Sequence, residues 1–426
     1  MGFQQGLSGL NAASKNLDVI GHNIANSNTV GFKASRAEFA EMVANAIGSA
    51  GGTNAGIGVE TAAVAQQFTQ GNLTITGNSL DVAINGNGFF TLQLPDGSAA
   101  YTRAGNFKLD KEGNMVTNDN AKVMGYPIDP ATGLRTGTDP IPMVFPTSEP
   151  IPAKQTTKIT AAFNLDARAT DAAGDPAATP PVPATPRATY GTSINVFDSQ
   201  GVAKPVNLYF QKTATDNTWD VYDALDDPTA VPPVVATAIG QITFDNNGVI
   251  TGPAATPPAT GFALTLNVNP TPPNPNNLPA YDVEVNLDNV TQFGRKFSVS
   301  DLSQDGYTAG DLTGINVENN GMIMTRYSNG VTRAEGQIAL SSFRNTQGLA
   351  SVGGNNWVAT FESGQPVMGT ATYGNFGALR SGALEDSNVD LTAELVNMMT
   401  AQRTYQANAQ TIKTQDQVMS TLVNLR

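Results

Sequence analysis

His22 is the single histidine of this chain, and cysteine is absent. A Ser-His-Asp relay would have to run through that one imidazole, and a zinc site would have one nitrogen ligand and no thiolate. His22 lies within an amphipathic helical pattern rather than at a cleft-forming turn, so a packed or solvated helical histidine is expected. Asp288, Asp301, Asp305 and Asp311 offer carboxylates for acid–base cleavage of a glycosidic bond. That chemistry needs two of them at a fixed separation in one pocket, and nothing in their spacing brings two together. Gly86 and Gly88 could cradle a phosphate, but no Lys-Ser pair follows and no helix opens there, so a turn is expected. Asp110, Glu112 and Asn114 do not keep the spacing of a calcium loop. Trp219 and Trp357 are expected in cores or at a domain junction. These residues point to no catalytic site, no cofactor and no metal, and therefore to a protein that is not an enzyme.

The remaining composition narrows the class further. The 426 residues leave room for several domains and a substantial core. A formal net charge of -13 offers no basic footprint, so neither nucleic acid nor an anionic lipid surface is an expected partner. No apolar run approaches the length of about eighteen residues that spans a bilayer, so membrane insertion is not expected. The first residues, Met1-Gly2-Phe3-Gln4-Gln5-Gly6, have neither the basic region nor the apolar core of a cleaved signal. Export, if it occurs, would use another route.

The two ends of the chain carry the strongest periodic signal. Phe3, Leu7, Leu10, Ser14, Leu17, Gly21 and Ile24 alternate in steps of four and three, as do Leu391, Leu395, Met398, Gln402, Tyr405, Ala409, Ile412, Asp416, Met419 and Val423. Such a rhythm presents a seam to another helix. Ser387 and Asp390 read as a capping box opening the second helix. The first helix carries Gly2, Gly6, Gly9 and Gly21, and interior glycine costs about 0.5–1 kcal/mol relative to alanine. It is expected to be largely without fixed structure in the single chain and to become helical when packed in an assembly.

Between the ends the chain reads as β-structure. Proline is absent before Pro95 and after Pro366, and 22 of the 26 prolines lie between Pro140 and Pro279. That region must be built from loops, edge strands and turns. Its tracts Pro180–Pro186 and Pro270–Pro275 read as extended loops, with strands at Ser193–Phe197, Val206–Phe210 and Phe262–Leu266. On its flanks, Leu80, Val82 and Ile84, the turn Asn85–Gly88, then Phe90, Leu92 and Leu94 read as a hairpin. Further turns are expected at Lys111–Asn114, Asn319–Gly321 and Ser328–Gly330. The expected fold is α+β: N- and C-terminal coiled-coil-like helices plus two mainly antiparallel β-domains, the second inserted into the first. Residues 1–30 and 385–426 form the helical part, and 31–79 and 356–384 the connecting segments. Residues 80–145 and 285–355 form a discontinuous β-domain, and 146–284 the proline-rich insertion.

The segment Asn23–Lys33 resembles the signature that flagellar rod and hook axial proteins share just after their first helix, matching at Asn23, Asn26, Thr29, Gly31, Phe32 and Lys33. Leu80–Phe90 and Tyr101–Phe107 are similar to the next shared blocks of that family. Ser381–Leu391 and Gln402–Asn408 are similar to its C-terminal ones. The large insertion, with Ser193–Gly201, Tyr327–Gly330, Gly336–Leu340 and Gly354–Trp357, resembles the hook-type members; a distal rod or hook-associated junction protein is the alternative. The resemblance implies a subunit that polymerises with itself into a curved, flexible tube carrying motor torque from rod to filament. The terminal helices would line an inner channel, with Phe3, Leu7, Leu10, Leu17, Ile24, Leu391, Leu395, Met398, Tyr405, Ala409, Ile412, Met419 and Val423 as the polymer interface. It further implies rod, hook cap and hook-filament junction proteins and the flagellar export apparatus as partners, and an extracellular place in the flagellum. Outside that family, a secreted hydrolase leaves residues 1–33 without a role. A surface adhesin would bind as a monomer without help from the terminal helices.

Overall fold

The computed structural model describes residues 2–43, 56–129, 132–146, 150–174, 177–181, 184–226, 236–255, 260–269 and 278–424. The chain divides into two compact units. The first contains Met1–Ser148, Leu312–Arg326 and Thr332–Arg426, and the second Glu149–Asp311 with Tyr327–Val331.

In the first unit, helix α1 (Gly2–Ala25) and helix α2 (Leu391–Asn424) stand at the two ends of the sequence and pack on each other. α1 is one continuous helix in the single chain, in contrast to the expectation from its glycine load. The reason lies in how two of those glycines are used. A Cβ at Gly6 would lie 3.1 Å from Ile412 Cγ1, and one at Gly9 would lie 3.0 Å from the Asn408 side chain. The glycines let the helices approach closely, and the order of these contacts makes the pair antiparallel. After α1, strands β1 (Ser35–Val43) and β2 (Gly56–Gln66) form a long antiparallel ribbon that also packs on α1.

α2 is capped by Asp390, whose Oδ1 accepts from Thr392 N at 2.9 Å and Ala393 N at 3.1 Å. The capping box expected at Ser387 does not form. Asn388 is drawn into bonds with Ala34 N and Gln67 O, which keeps this stretch extended and starts the helix later.

Twelve strands of the same unit join one mainly antiparallel sheet, with Met322–Tyr327, Thr332–Ser342, Lys122–Pro127 and Phe89–Gln93 in succession along its middle. Its core holds Phe90, Leu92, Phe107, Met115, Ile338 and Leu340. The hairpin expected across Asn85–Gly88 does not form. Val82–Asn85 pairs with Ala378–Ser381 from the far end of the chain, while Phe89–Gln93 pairs with Ala99–Thr102 and joins the large sheet. Val82 and Ile84 are fully buried, and the backbone partners that this strand needs come from Ala378–Ser381 rather than from the strand across the turn. A second small pairing, Leu73–Ile75 with Ala383–Glu385, repeats the arrangement. The turns expected at Lys111–Asn114, Asn319–Gly321 and Ser328–Gly330 are present.

The second unit contains two five-stranded sheets around Phe163, Phe210, Trp219, Val283 and Val285. Strands Gly191–Phe197, Ala203–Lys212 and Ala263–Val268 fall on the expected segments. Its far boundary differs from the expected residue 284. Lys158–Asp166 pairs in parallel with Tyr281–Asn286 and Thr291–Phe293, and antiparallel with Ser298–Gln304. These strands therefore belong to the inserted unit, which runs to Asp311. Of the proline tracts, 270–275 and residues 182–183 lie outside the described residues.

Candidate functional site

Two regions of the first unit gather the residues singled out by sequence. One is the surface of the helix pair. The face of α1 that turns inward is not the apolar seam but the row one residue before it. Gly6, Ala13 and Ile20 are buried at seven-residue spacing, and Asn23 continues the row. On α2 the matching positions are Ala401, which is buried, and Glu394 and Asn408, which are half-buried. An offset of one residue turns a helix face by about 100°. The apolar seam is consequently left on the outside. Phe3, Leu7, Leu391, Leu395, Tyr405 and Met419 are exposed, and Leu10, Leu17, Ile24, Met398, Ala409 and Ile412 are half-buried. Of these, Ile412 reaches the partner helix at Gly6. Val396, Met399 and Val418, which the spacing did not single out, add further exposed apolar side chains to α2. The Val423 side chain lies outside the described residues.

Between α1, α2 and the β1–β2 ribbon runs a groove of about 600 Å³, with Ala13, Ile20, Phe39, Ala401 and Asn408 among its walls. Glu394 also lines it, and its Oε2 is buried without a hydrogen-bond partner.

The other region joins the two ends of the chain to the sheets. Asn26 closes α1 by donating from Nδ2 to His22 O at 2.9 Å and accepting from Thr29 Oγ1 at 3.3 Å. Asn23 binds both backbone groups of Ser35, donating to its oxygen at 2.7 Å and accepting from its nitrogen at 2.9 Å. Gly31, at φ 69°, donates to Glu385 O at 2.8 Å, and a Cβ there would lie 2.6 Å from Ala104 N. Only glycine satisfies both demands. Phe32 is buried, with its ring 5.4 Å from that of His22.

Lys33 completes this region. Its ammonium lies 2.6 Å from Glu385 Oε1, with both side chains at 0% exposure, and it also donates to Thr69 O at 2.7 Å. Arg103 Nη1 meets Glu385 Oε2 at 3.3 Å and Gly86 O at 3.0 Å, and Gly71 N donates to Glu385 Oε1 at 2.9 Å. One carboxylate thus ties together the α1 exit, residues 69–71, the segment holding Arg103 and the approach to α2. Burial pushes the Lys33 ammonium below its ordinary value against the pull of Glu385, and burial acts on Arg103 in the same direction. Beside the cluster, Trp357 packs against Phe68 and Phe89 and donates from Nε1 to Gln66 Oε1 at 2.6 Å.

The motif residues Asn23 to Lys33 were legible, but the spacing gave no sign of Glu385 and Arg103 as their partners. The available signal is that Lys33 is a lone charge closing the run Val30-Gly31-Phe32-Lys33, and that Glu385 follows Ala383-Leu384.

Of the carboxylates weighed for chemistry, Asp110, Asp288 and Asp305 are occupied in folding. Asp110 accepts from Asn114 N at 2.7 Å, and Asp288 accepts from Phe262 N at 2.7 Å. Asp305 Oδ1 accepts from Thr157 N at 2.8 Å and from Lys158 N at 2.9 Å. Burial raises the Asp305 value, and the hydrogen bonds from Lys158 and Thr157, with Lys154, outweigh it and bring it down to about 2. Trp219 is fully buried and donates to Gln292 Oε1 at 3.2 Å. Among the described residues, no helix is long and apolar enough to cross a membrane.

Comparison with known proteins finds family models that match four stretches of the chain. Residues 3–33 match the family model for flagella basal body rod proteins, and 380–425 match that for the C-terminal part of the flagellar basal body rod FlgEFG proteins. Residues 83–162 match the flagellar hook protein FlgE/F/G D1 domain, and 164–307 the flagellar basal body protein FlaE D2 domain. The chain is 43% identical over 433 residues to the flagellar hook protein FlgE of Salmonella typhimurium, with both chains covered completely. It is 33% identical over 448 residues to that of Borreliella burgdorferi, covering 99% of this chain and 98% of the relative. The crystal structure of the Helicobacter pylori flagellar hook protein FlgE2 has a similar fold at a TM-score of 0.51 and 15% identity, covering 73% of this chain and all of that one. With relatives of such identity matched from end to end, the chain belongs to the flagellar hook protein FlgE family.

Proposed function

We propose that this chain polymerises through the outward faces of α1 and α2 into the tube of a flagellar hook, and that it works as a structural subunit without enzymatic activity. The observation that supports this most is the apolar stripe left uncovered on both helices after they have paired. A soluble helix normally turns its larger apolar residues inward. Here alanine and glycine face the partner helix, while Phe3, Leu7, Leu391 and Leu395 face outward. Neighbouring copies that cover these stripes would build an inner tube, and heterologous contacts that do not close on themselves extend it into a polymer. The β-rich remainder supplies softer contacts that can shift as the tube bends, so the hook bends while it passes torque from rod to filament. The rod, the hook cap, the hook-filament junction proteins and the export apparatus are its other partners. Its place is extracellular, in the flagellum.

The test uses the exposed positions Leu7 and Leu395 in the full chain. Leu7→Asp and Leu395→Asp are expected to leave the melting temperature of the monomer nearly unchanged. They should raise the critical concentration for tube formation, followed by sedimentation and electron microscopy, by about 10- to 100-fold. Tubes that form at the parent concentration in both variants would refute the reading.

A further inference from the structure

We infer that Met399 and Met419 are oxidation sites through which a peroxide keeps free subunits from joining the tube, while subunits already in it are spared. This rests on the polymer reading above and adds a means of control to the same helix. The chain has no cysteine, so its sulfur is carried by 11 methionines. Met399 is 55% exposed and Met419 61%. Among the described residues the next most accessible, Met368 and Met42, reach 41% and 40%, and Met115 and Met143 are buried. The two thioethers best placed to meet an oxidant therefore both stand on α2. Competition for the oxidant is weak, because the chain offers no thiolate and both Trp219 and Trp357 are buried.

Their surroundings tie these sites to assembly. Leu391, Leu395 and Met399 follow one another in steps of four, so they lie in one row along the helix, and all three are exposed. Met399 thus continues the apolar stripe that a neighbouring copy covers. Met419 is exposed for a different reason. Gly6 meets Ile412 and α1 begins at Gly2, so the antiparallel α2 runs past the start of α1, and Met419 stands on the overhang. In the reaction a sulfur lone pair attacks one peroxide oxygen, and the S–O bond forms as the O–O bond breaks. The departing hydroxide takes the proton of the transferred oxygen and becomes water. Sulfur is oxidised by two electrons and the peroxide is reduced by two. The product replaces a flexible apolar group with a polar sulfoxide. A neighbour that covers the stripe must then bury a polar oxygen in an apolar contact. Once the stripe is covered, solvent no longer reaches the thioethers, and the finished tube is out of the oxidant's reach.

The test treats the full-chain monomer with dilute hydrogen peroxide at neutral pH and maps sulfoxides by peptide mass spectrometry. Met399 and Met419 should oxidise ahead of Met115 and Met143. The critical concentration for tube formation should rise by about tenfold or more. Treatment with the two methionine sulfoxide reductases, one for each epimer, should restore it. Met399→Leu/Met419→Leu, a swap of similar volume at exposed positions, should assemble like the parent and continue to do so after the same oxidation. Preformed tubes should keep both thioethers reduced under conditions that oxidise the monomer. Monomer carrying both sulfoxides that assembles as the untreated parent does would overturn the assignment. So would a double variant inhibited by peroxide as strongly as the parent, tubes that oxidise as fast as monomer, or Met115 or Met143 reacting first. Leu395→Asp separates the two readings. If it fails to assemble while the oxidised parent assembles, the helical interface stands and control by oxidation is refuted. If it assembles as the parent does, the polymer reading is overturned and this inference with it.

Discussion

Replacing Lys33 by methionine isolates the contribution of the buried charge cluster. The substitution removes the ammonium 2.6 Å from Glu385 Oε1 and keeps a chain of similar length in a site with no exposure. Glu385 retains Gly71 N at 2.9 Å and Arg103 at 3.3 Å, and Thr69 O retains Asn388 Nδ2 at 3.2 Å. Removing one member of a buried ion pair costs about 3–5 kcal/mol. The retained partners place the expected loss at the lower end, about 3 kcal/mol. At roughly 2–4 °C per kcal/mol for a unit of this size, the melting temperature should fall by about 6–12 °C. The chain provides its own probe, because Trp357 lies in the first unit and Trp219 in the second. In a Trp219→Phe background, Trp357 fluorescence during denaturant unfolding follows the first unit alone. Glu385→Gln should be comparably damaging, since it leaves Lys33 and Arg103 facing each other. The double variant should lose less than the sum by about 1–3 kcal/mol. A Lys33→Met variant within 0.5 kcal/mol (roughly the scatter of neutral surface changes) of the parent would show that the cluster does not hold the unit together. Strict additivity in the cycle would show the same.

Three further outcomes follow from single contacts. Asp390→Ala should destabilise the first unit by about 1 kcal/mol by the same fluorescence assay, whereas Ser387→Ala should change it by less than half as much, because Asp390 is the cap. Gly31→Ala combines a left-handed backbone with a Cβ forced to 2.6 Å from Ala104 N, so a loss of about 3 kcal/mol and a marked fall in soluble yield are expected. Asp305 has a folded value of about 2, below its ordinary 3.8. It therefore adds stability above pH 3.8 that is lost as pH falls through about 2. In a Trp357→Phe background, Asp305→Asn should flatten the acid dependence of Trp219 unfolding across that window, and an unchanged slope would refute the assignment.

The parts of this fold that sequence disclosed are those set by local rules. The helical rhythm at both ends, the turn chemistry at Lys111–Asn114 and Asn319–Gly321, and the strands at 193–197 and 206–210 depend on neighbours a few residues away. What escaped depends on partners far along the chain. The run Leu80–Ile84 with its Asn-Gly turn satisfies every rule for a hairpin, yet its strand is matched to Ala378–Ser381. Lys33 and Glu385 are 352 residues apart, and no spacing rule connects them. The far edge of the insertion was missed for the same reason, since Tyr281–Asn286 reads equally well in either unit until its pairing with Lys158–Asp166 is known.

The helix seams fall between these two cases. Their period was legible, but the row that packs within the chain is one residue earlier. Hydrophobic periodicity finds the apolar face of a helix, and in a self-contained domain that face is the inward one. In this chain the inward row of α1 runs through Gly6, Gly9, Ala13 and Ile20, and at Gly6 and Gly9, against Ile412 and Asn408, the missing side chain lets the helices come close. The larger side chains are displaced about a quarter turn outward, where a single chain gains nothing by burying them. Such an arrangement lowers the solubility of an isolated molecule and stabilises one whose neighbours cover the stripe. The antiparallel pair therefore sets the spacing and direction of two apolar stripes. The Lys33–Glu385–Arg103 cluster ties the α1 exit and the α2 entry to the sheets of the same unit through a buried contact.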